Sequence, residues 1–131
     1  MCRADFGGFD GPDFMQSAKL KARKAHRCGE CRREIAPGEI YERTVSIYDG
    51  TASTYKTCAH CLVLGDWLSE NCDGYIYTEV VEDFQEHASE YSREDIGALA
   101  AMARRHWRTT DGALLPIPSK PAPIKPGESR V

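Results

Sequence analysis

No stretch of this chain approaches the run of about 20 apolar residues that a membrane-spanning helix requires. Its opening, MCRADFGGFDGPDF, likewise lacks an apolar run of the secretory kind. Neither a signal peptide nor a membrane anchor is expected, and the compartment expected is a cytoplasm, where thiols stay reduced. Proline is nearly missing from the body, since five of the seven prolines fall in LLPIPSKPAPIKPGESRV at the C-terminal end. Acids are scarce between Lys19 and Arg33: Glu30 stands alone among Lys19, Lys21, Arg23, Lys24, Arg27, Arg32 and Arg33. Cations are just as scarce between Asp66 and Asp95, where Arg93 faces a run of acids that includes Glu79, Glu82, Asp83 and Glu86. The net charge of −3 hides this split, which predicts two surfaces of opposite sign.

A chain of 131 residues with 41% apolar content is expected to form one small domain with tails. A core of that size is marginal, so a covalent or metal staple would help it. Residues 1–18, rich in Gly and Asp with Phe6, Phe9 and Phe14 between them, read as an irregular arm. Residues 19–108 read as the domain. Residues 109–131 read as an extended, disordered Pro-rich tail with little to bury. Within the domain, Ile40–Tyr48 has strand composition, and Asp49-Gly50 followed by a polar run through Tyr55 to Thr57 is a hairpin signal. Helices are expected from the second cysteine pair through CLVLGDWLSEN, from Thr78 as cap with Val80, Val81, Phe84, Ala88 and Tyr91 on one face, and from a Ser92–Asp95 capping box with Ile96, Leu99, Ala100, Ala103 and Trp107.

Six cysteines are present, and four form two Cys-x-x-Cys pairs: Cys28 with Cys31 and Cys58 with Cys61. A disulfide framework suits a small secreted domain, and nothing here marks secretion. A thioredoxin-type pair opens a helix within a βαβ unit, whereas Cys28-Gly-Glu-Cys31 runs into Pro37-Gly38 and a hairpin. Two tight turns joined by a hairpin suit one tetrahedral Zn²⁺. Gly29 is expected to ease the first turn. The order of knuckle, hairpin and helix bearing the second pair is a treble-clef-like arrangement, and the helix N-terminus favours thiolates at Cys58 and Cys61. The fold class expected is α+β, a treble-clef-like zinc module followed by two helices. With four thiolates the site leaves no open position, so the zinc is structural.

The segment FMQSAKLKARKAHRCGECRREIAPGEIYERTVSIYDGTASTYKTCAHC, with CDGYIYTEVVEDFQEH after it, resembles a family of small zinc-binding proteins encoded by tailed bacteriophages and prophages. The resemblance spans roughly residues 12–107 and rests on Lys21 to Lys24 and His26 before Cys28, on Ile35, Gly38-Glu39 and Tyr41, on Tyr48-Asp49-Gly50, and on Tyr55, Thr57, Cys58 and Cys61. The family usually has Trp where this chain has Tyr48. The resemblance implies a phage protein working in a bacterial host cytoplasm, and it carries no enzymatic activity.

Some treble clefs hold a His-Asn-His nuclease site, which needs a histidine at the end of the first strand and another on the helix. Positions 40–48 contain none, and none follows His60 until His87, so no enzyme is expected. His26 is expected to bond a carbonyl or a ligand sulfur, and His60 to point away from the metal. Cys72 is expected to pack as a small apolar residue, while a site of Cys2, Cys72 and a histidine would require the N-terminal arm to fold back. The function expected is an interaction module that binds a host or phage protein, as a takeover or anti-defence factor, through the acidic face of Glu79, Glu82, Asp83 and Glu86. The alternative is nucleic-acid binding through Lys19, Lys21, Arg23, Lys24 and Arg27, although the acidic total weighs against it. Part of the basic charge would only balance the zinc–thiolate site.

Overall fold

The computed structural model describes residues 12, 14–72 and 74–125. The chain is α+β, with five strands and three helices among these residues. Strands β1 (Phe14–Lys21), β4 (Ile40–Tyr48) and β5 (Thr51–Cys58) form an antiparallel sheet in the order β1-β4-β5. The two-residue strands β2 (His26–Arg27) and β3 (Glu34–Ile35) pair beside it around the first cysteine turn. Helices α1 (Ala59–Asn71), α2 (Val80–Glu90) and α3 (Glu94–Arg104) follow.

The hairpin forms where expected. Asp49 and Gly50 both take positive φ, 51° and 79°, as a two-residue hairpin turn matched to the strand twist requires. That turn sets Tyr48 opposite Thr51 and so brings Tyr41 opposite Cys58 at the far end. The sequence reading missed β1. Residues 14–18 were assigned to an irregular arm, yet Phe14–Lys21 pairs with β4 along its whole length, Phe14 facing Ile47 and Lys21 facing Ile40. Strand β1 buries no side chain, so no apolar alternation marks it; backbone pairing with β4 makes it a strand.

The core lies at the other end of the sheet. Trp67, Trp107, Phe84, Ile35, Leu64 and Leu68 are fully buried there, contiguous with the four paired cysteines. Trp67 on α1 meets the Phe84 ring of α2 edge-on at 5.1 Å, an arrangement favoured over face-to-face contact. Gly65 lets α1 approach the next segment: a Cβ there would stand 2.9 Å from the Tyr75 ring.

Both expected helix caps are corrected. Thr78 takes φ 75° and its side chain does not cap α2. Instead the Glu30 carboxylate accepts from the Thr78 and Val80 amides at 2.7 and 3.0 Å, satisfying donors a helix start leaves orphaned. Ser92 is not the cap of α3, whose N-cap position is Arg93; Asp95 accepts from its neighbour Ile96 at 2.9 Å and pairs with Arg93.

Residues 109–113 form a hydrogen-bonded turn and residues 114–125 run on extended but docked, contrary to the disorder expected. Leu115 donates to the Trp107 carbonyl, Ile124 donates to Asn71 Oδ1, and the Trp67 indole donates to the Ala122 carbonyl. Lys120 pairs with Glu70 at 2.7 Å. Proline lacks an amide for a ladder, so this strap is held by the backbone groups and side chains it offers between prolines.

Candidate metal centre

Each cysteine pair is delivered by a turn whose backbone is already bonded. At the first, Cys28 N–H donates to the Arg33 carbonyl and Arg32 N–H to the Cys28 carbonyl. Arg32, not Gly29, takes the left-handed conformation at φ 68°. Gly29 serves close approach instead: its amide donates to the Lys56 carbonyl at 2.8 Å, and a Cβ on it would stand 3.4 Å from that oxygen. At the second pair, Cys58 is both the last residue of β5 and the N-cap of α1, its sulfur accepting from the Cys61 amide at 3.4 Å. Pairing of β4 with β5 then carries Cys58 to the first turn, where its amide donates to Cys28 Sγ at 3.4 Å.

The result is one cluster: the sulfurs of Cys28, Cys31, Cys58 and Cys61 all lie within 4.8 Å of one another, and all four residues are buried and free of disulfides. Four thiols packed this closely do not ionise independently. Hydrogen bonds with Cys28, Cys31 and Cys61 hold Cys58 far below the usual thiol range, while contacts with Cys28, Cys31 and Cys58 push Cys61 well above it. A cation among them removes that conflict, because every sulfur can then be a thiolate. The four residues are therefore a set able to hold one structural metal ion.

Groups around the cluster supply donors. The amide of Glu30 points to Cys28 Sγ at 3.4 Å, and the Trp107 indole N–H donates to Cys61 Sγ at 3.3 Å. Trp107 reaches this place because His106 and Trp107 both turn to positive φ after α3, and His106 Nδ1 meets the Cys31 carbonyl at 2.5 Å. Arg33 is buried and forms a two-pronged pair with Glu39 at 2.7 and 3.1 Å. Burial opposes its charge, but the Glu39 bond and the nearby Cys58 raise its pKa further above the normal range. His60, expected to point away from the metal, is buried and hydrogen-bonded, its ring nitrogens against Arg33 Nη2 at 3.2 Å and the Leu115 carbonyl at 2.6 Å, and it is also among the groups that hold the Cys58 thiol low. His26 lies on the Tyr41 ring at 4.8 Å with Nδ1 3.2 Å from Lys56 Nζ, and desolvation together with Lys56 and Lys24 lowers its pKa. Arg33 adjoins the cluster, as the reading of the basic charge around the site expected, whereas Trp107 was not singled out as a partner, because neither adjacency nor helical spacing connects it to Cys61.

The other expected site residues separate. Lys19, Lys21, Arg23, Lys24 and Arg27 are all exposed, but Arg27 turns back to donate to the Arg32 carbonyl at 2.5 Å. In the acidic set, Glu82 and Glu86 are exposed and Glu79 is half-buried. Asp83 is 1% exposed and sits 3.3 Å from His87 Nδ1, so it belongs to the interior and not to an acidic docking face. Cys72 is disulfide-bonded rather than a small apolar thiol, its sulfur 3.5 Å from His87 Nε2. It is the described cysteine that departs from the reduced state expected; Cys2 lies outside the described residues. No helix among the described residues is long and apolar enough to cross a membrane.

Comparison with protein-family models, with curated proteins and with solved structures finds no match to this chain.

Proposed function

We propose that this chain is a zinc-stapled interaction module and not an enzyme. The observation that carries the reading is the cluster of four buried cysteine sulfurs. Thiolates on a tetrahedral Zn²⁺ at about 2.3 Å stand about 3.8 Å apart, and the Cys31 and Cys58 sulfurs are 3.9 Å apart. Four sulfur ligands fill the coordination sphere, so the ion serves as a fold-holding staple. The order of cysteine turn, hairpin and helix supports a treble-clef-like reading of residues 26–71.

What the staple holds in place is a sheet whose distal half exposes apolar side chains, Phe14 and Met15 each near half exposed. Such a surface suits docking better than chemistry, and a macromolecular partner is the natural ligand. A phage or prophage origin and work inside a bacterial host belong to the same proposal, carried by the motif resemblance. With Asp83 turned inward, the acidic surface on α2 for a basic host protein is reduced to Glu82 and Glu86, with Glu79 at its edge.

Metal analysis of the purified chain tests the staple directly. One zinc per chain is expected, and exchange for Co²⁺ should give the visible absorption of tetrahedral thiolate cobalt. A chain that folds fully with no metal bound would end the proposal.

A further inference from the structure

The register of the large sheet divides its side chains between two faces. One face takes Glu42, Thr44 and Tyr55, with Tyr77 stacked on Tyr55 at 4.5 Å and its hydroxyl 3.4 Å from Thr44. The other face runs in cross-strand rows: Leu20, Tyr41 and Cys58; Ala18, Arg43 and Lys56; Gln16, Val45 and Thr54; Phe14, Ile47 and Ala52. None of these residues is acidic. Beyond the buried Tyr41 and Cys58 every one of them is exposed or half-buried.

Arg43 on β4 stands directly opposite Lys56 on β5. Like charges at opposed positions of an antiparallel pair destabilise it. Lys56 Nζ donates to His26 Nδ1 at 3.2 Å, which orients the ammonium without neutralising it, and Arg23 and Lys24 line an open groove beside the same rows, together with Lys21 and Leu20. No described acid pairs with Arg23, Lys24, Arg43 or Lys56. Positive charge gathered at a cost and left unneutralised is complementary to an anionic polymer.

We propose that this face binds single-stranded nucleic acid, with phosphates on Arg23, Lys24, Arg43 and Lys56 and bases laid along Ile47 and Phe14. The inference rests on the interaction-module reading and names its partner. A flat sheet face admits an unpaired strand, whose bases can lie on apolar and aromatic side chains while cations track the backbone. This surface overlaps the basic segment singled out in the sequence at Arg23 and Lys24. It extends to Arg43 and Lys56, which the segment does not contain.

The test is fluorescence anisotropy of a labelled oligothymidylate of about 20 nucleotides with the full, metal-loaded chain, titrated with salt. Binding is expected at about 50 mM salt, weakening with a slope of about −0.7 in log K against log salt for each phosphate contacted. Joint replacement Arg43→Gln and Lys56→Gln should weaken binding roughly tenfold and flatten the slope by about 1.4, two contacts' worth. Arg43→Gln alone, at an exposed position, covers the case in which the double variant does not fold, and should flatten the slope by about 0.7. No binding at low salt would overturn the inference, as would binding that both variants leave unchanged. Polyglutamate competing as well as unlabelled oligonucleotide would also overturn it, in favour of an acidic protein. Zinc content measured on the same samples separates the two readings. A folded, zinc-loaded chain that ignores the oligonucleotide sinks this inference alone, whereas a folded chain without metal sinks the module.

Discussion

The two ends of the long hairpin are built on opposite terms. At the Cys58 end, β4 and β5 run into a fully buried core of cysteines, tryptophans and the flank of α1. At the Asp49-Gly50 end the same strands, with β1 beside them, carry half-exposed side chains on both faces. The backbone ladder is continuous from one end to the other, so hydrogen bonding does not distinguish them. Burial does. The cysteine end holds the fold, and the turn end is carried by it, which leaves the sheet surface free to vary in composition without endangering the core.

The strongest way to break this comparison is to remove the staple. Chelation, or Cys58→Ser, should abolish cooperative unfolding and the near-ultraviolet circular dichroism of Trp67 and Trp107, because metal binding and folding are coupled in such a site. A chelated chain with its thermal transition intact would show that the aromatic core stands alone. Next in size is Trp107→Ala, which empties a fully buried site and removes the donor to Cys61. A loss of about 3–5 kcal/mol is expected in urea unfolding, and Trp107→Phe should recover most of the packing while still lacking the sulfur hydrogen bond. Glu30→Ala should cost about 1–3 kcal/mol by leaving the Thr78 and Val80 amides unsatisfied. Hydrogen exchange at those two amides should rise well before exchange within α1.

Smaller still is the share of acid sensitivity that Glu39 adds to the larger loss expected when protons displace the metal from the cysteines. Burial raises the pKa of Glu39, but the Arg33 bond, the Ala36 amide and the Arg33 charge outweigh it and leave it below the usual glutamate value. A lowered folded-state pKa means that this stabilisation is complete above the unfolded value and is lost as pH falls through the folded one. Wild type should therefore lose stability below about pH 4, and Glu39→Gln should show a shallower loss over that range. At the turn end, Gln16→Ala, on a strand that buries no side chain, should change stability by no more than about 0.5 kcal/mol. A larger change would show that the distal sheet contributes to the core after all.

Much of the cysteine end was readable in the chain. The spacing of Cys28, Cys31, Cys58 and Cys61 and the Asp49-Gly50 turn are local signals, and the hairpin register converts them into one cluster. Helix α1 was readable for the same reason, since its N-cap is a ligand candidate. The α2 cap was misread because its partner lies far away: Glu30 and Thr78 are 48 positions apart, so a local Thr-based cap looked sufficient. The acidic set was misread at Asp83 because a charge run says nothing about which member faces inward.

Amino-acid identity by itself determined the four-thiol set able to hold a metal, the hairpin and the division of charge along the chain, because each depends on residue type and short spacing. Tertiary structure alone decided that Phe14–Lys21 is a strand, that Trp107 supports Cys61, that the proline-rich strap is docked, and that Arg43 stands beside Lys56. Those outcomes depend on which backbone and side-chain groups meet across distant parts of the chain, and pairing of that kind leaves no periodic mark in either partner's sequence.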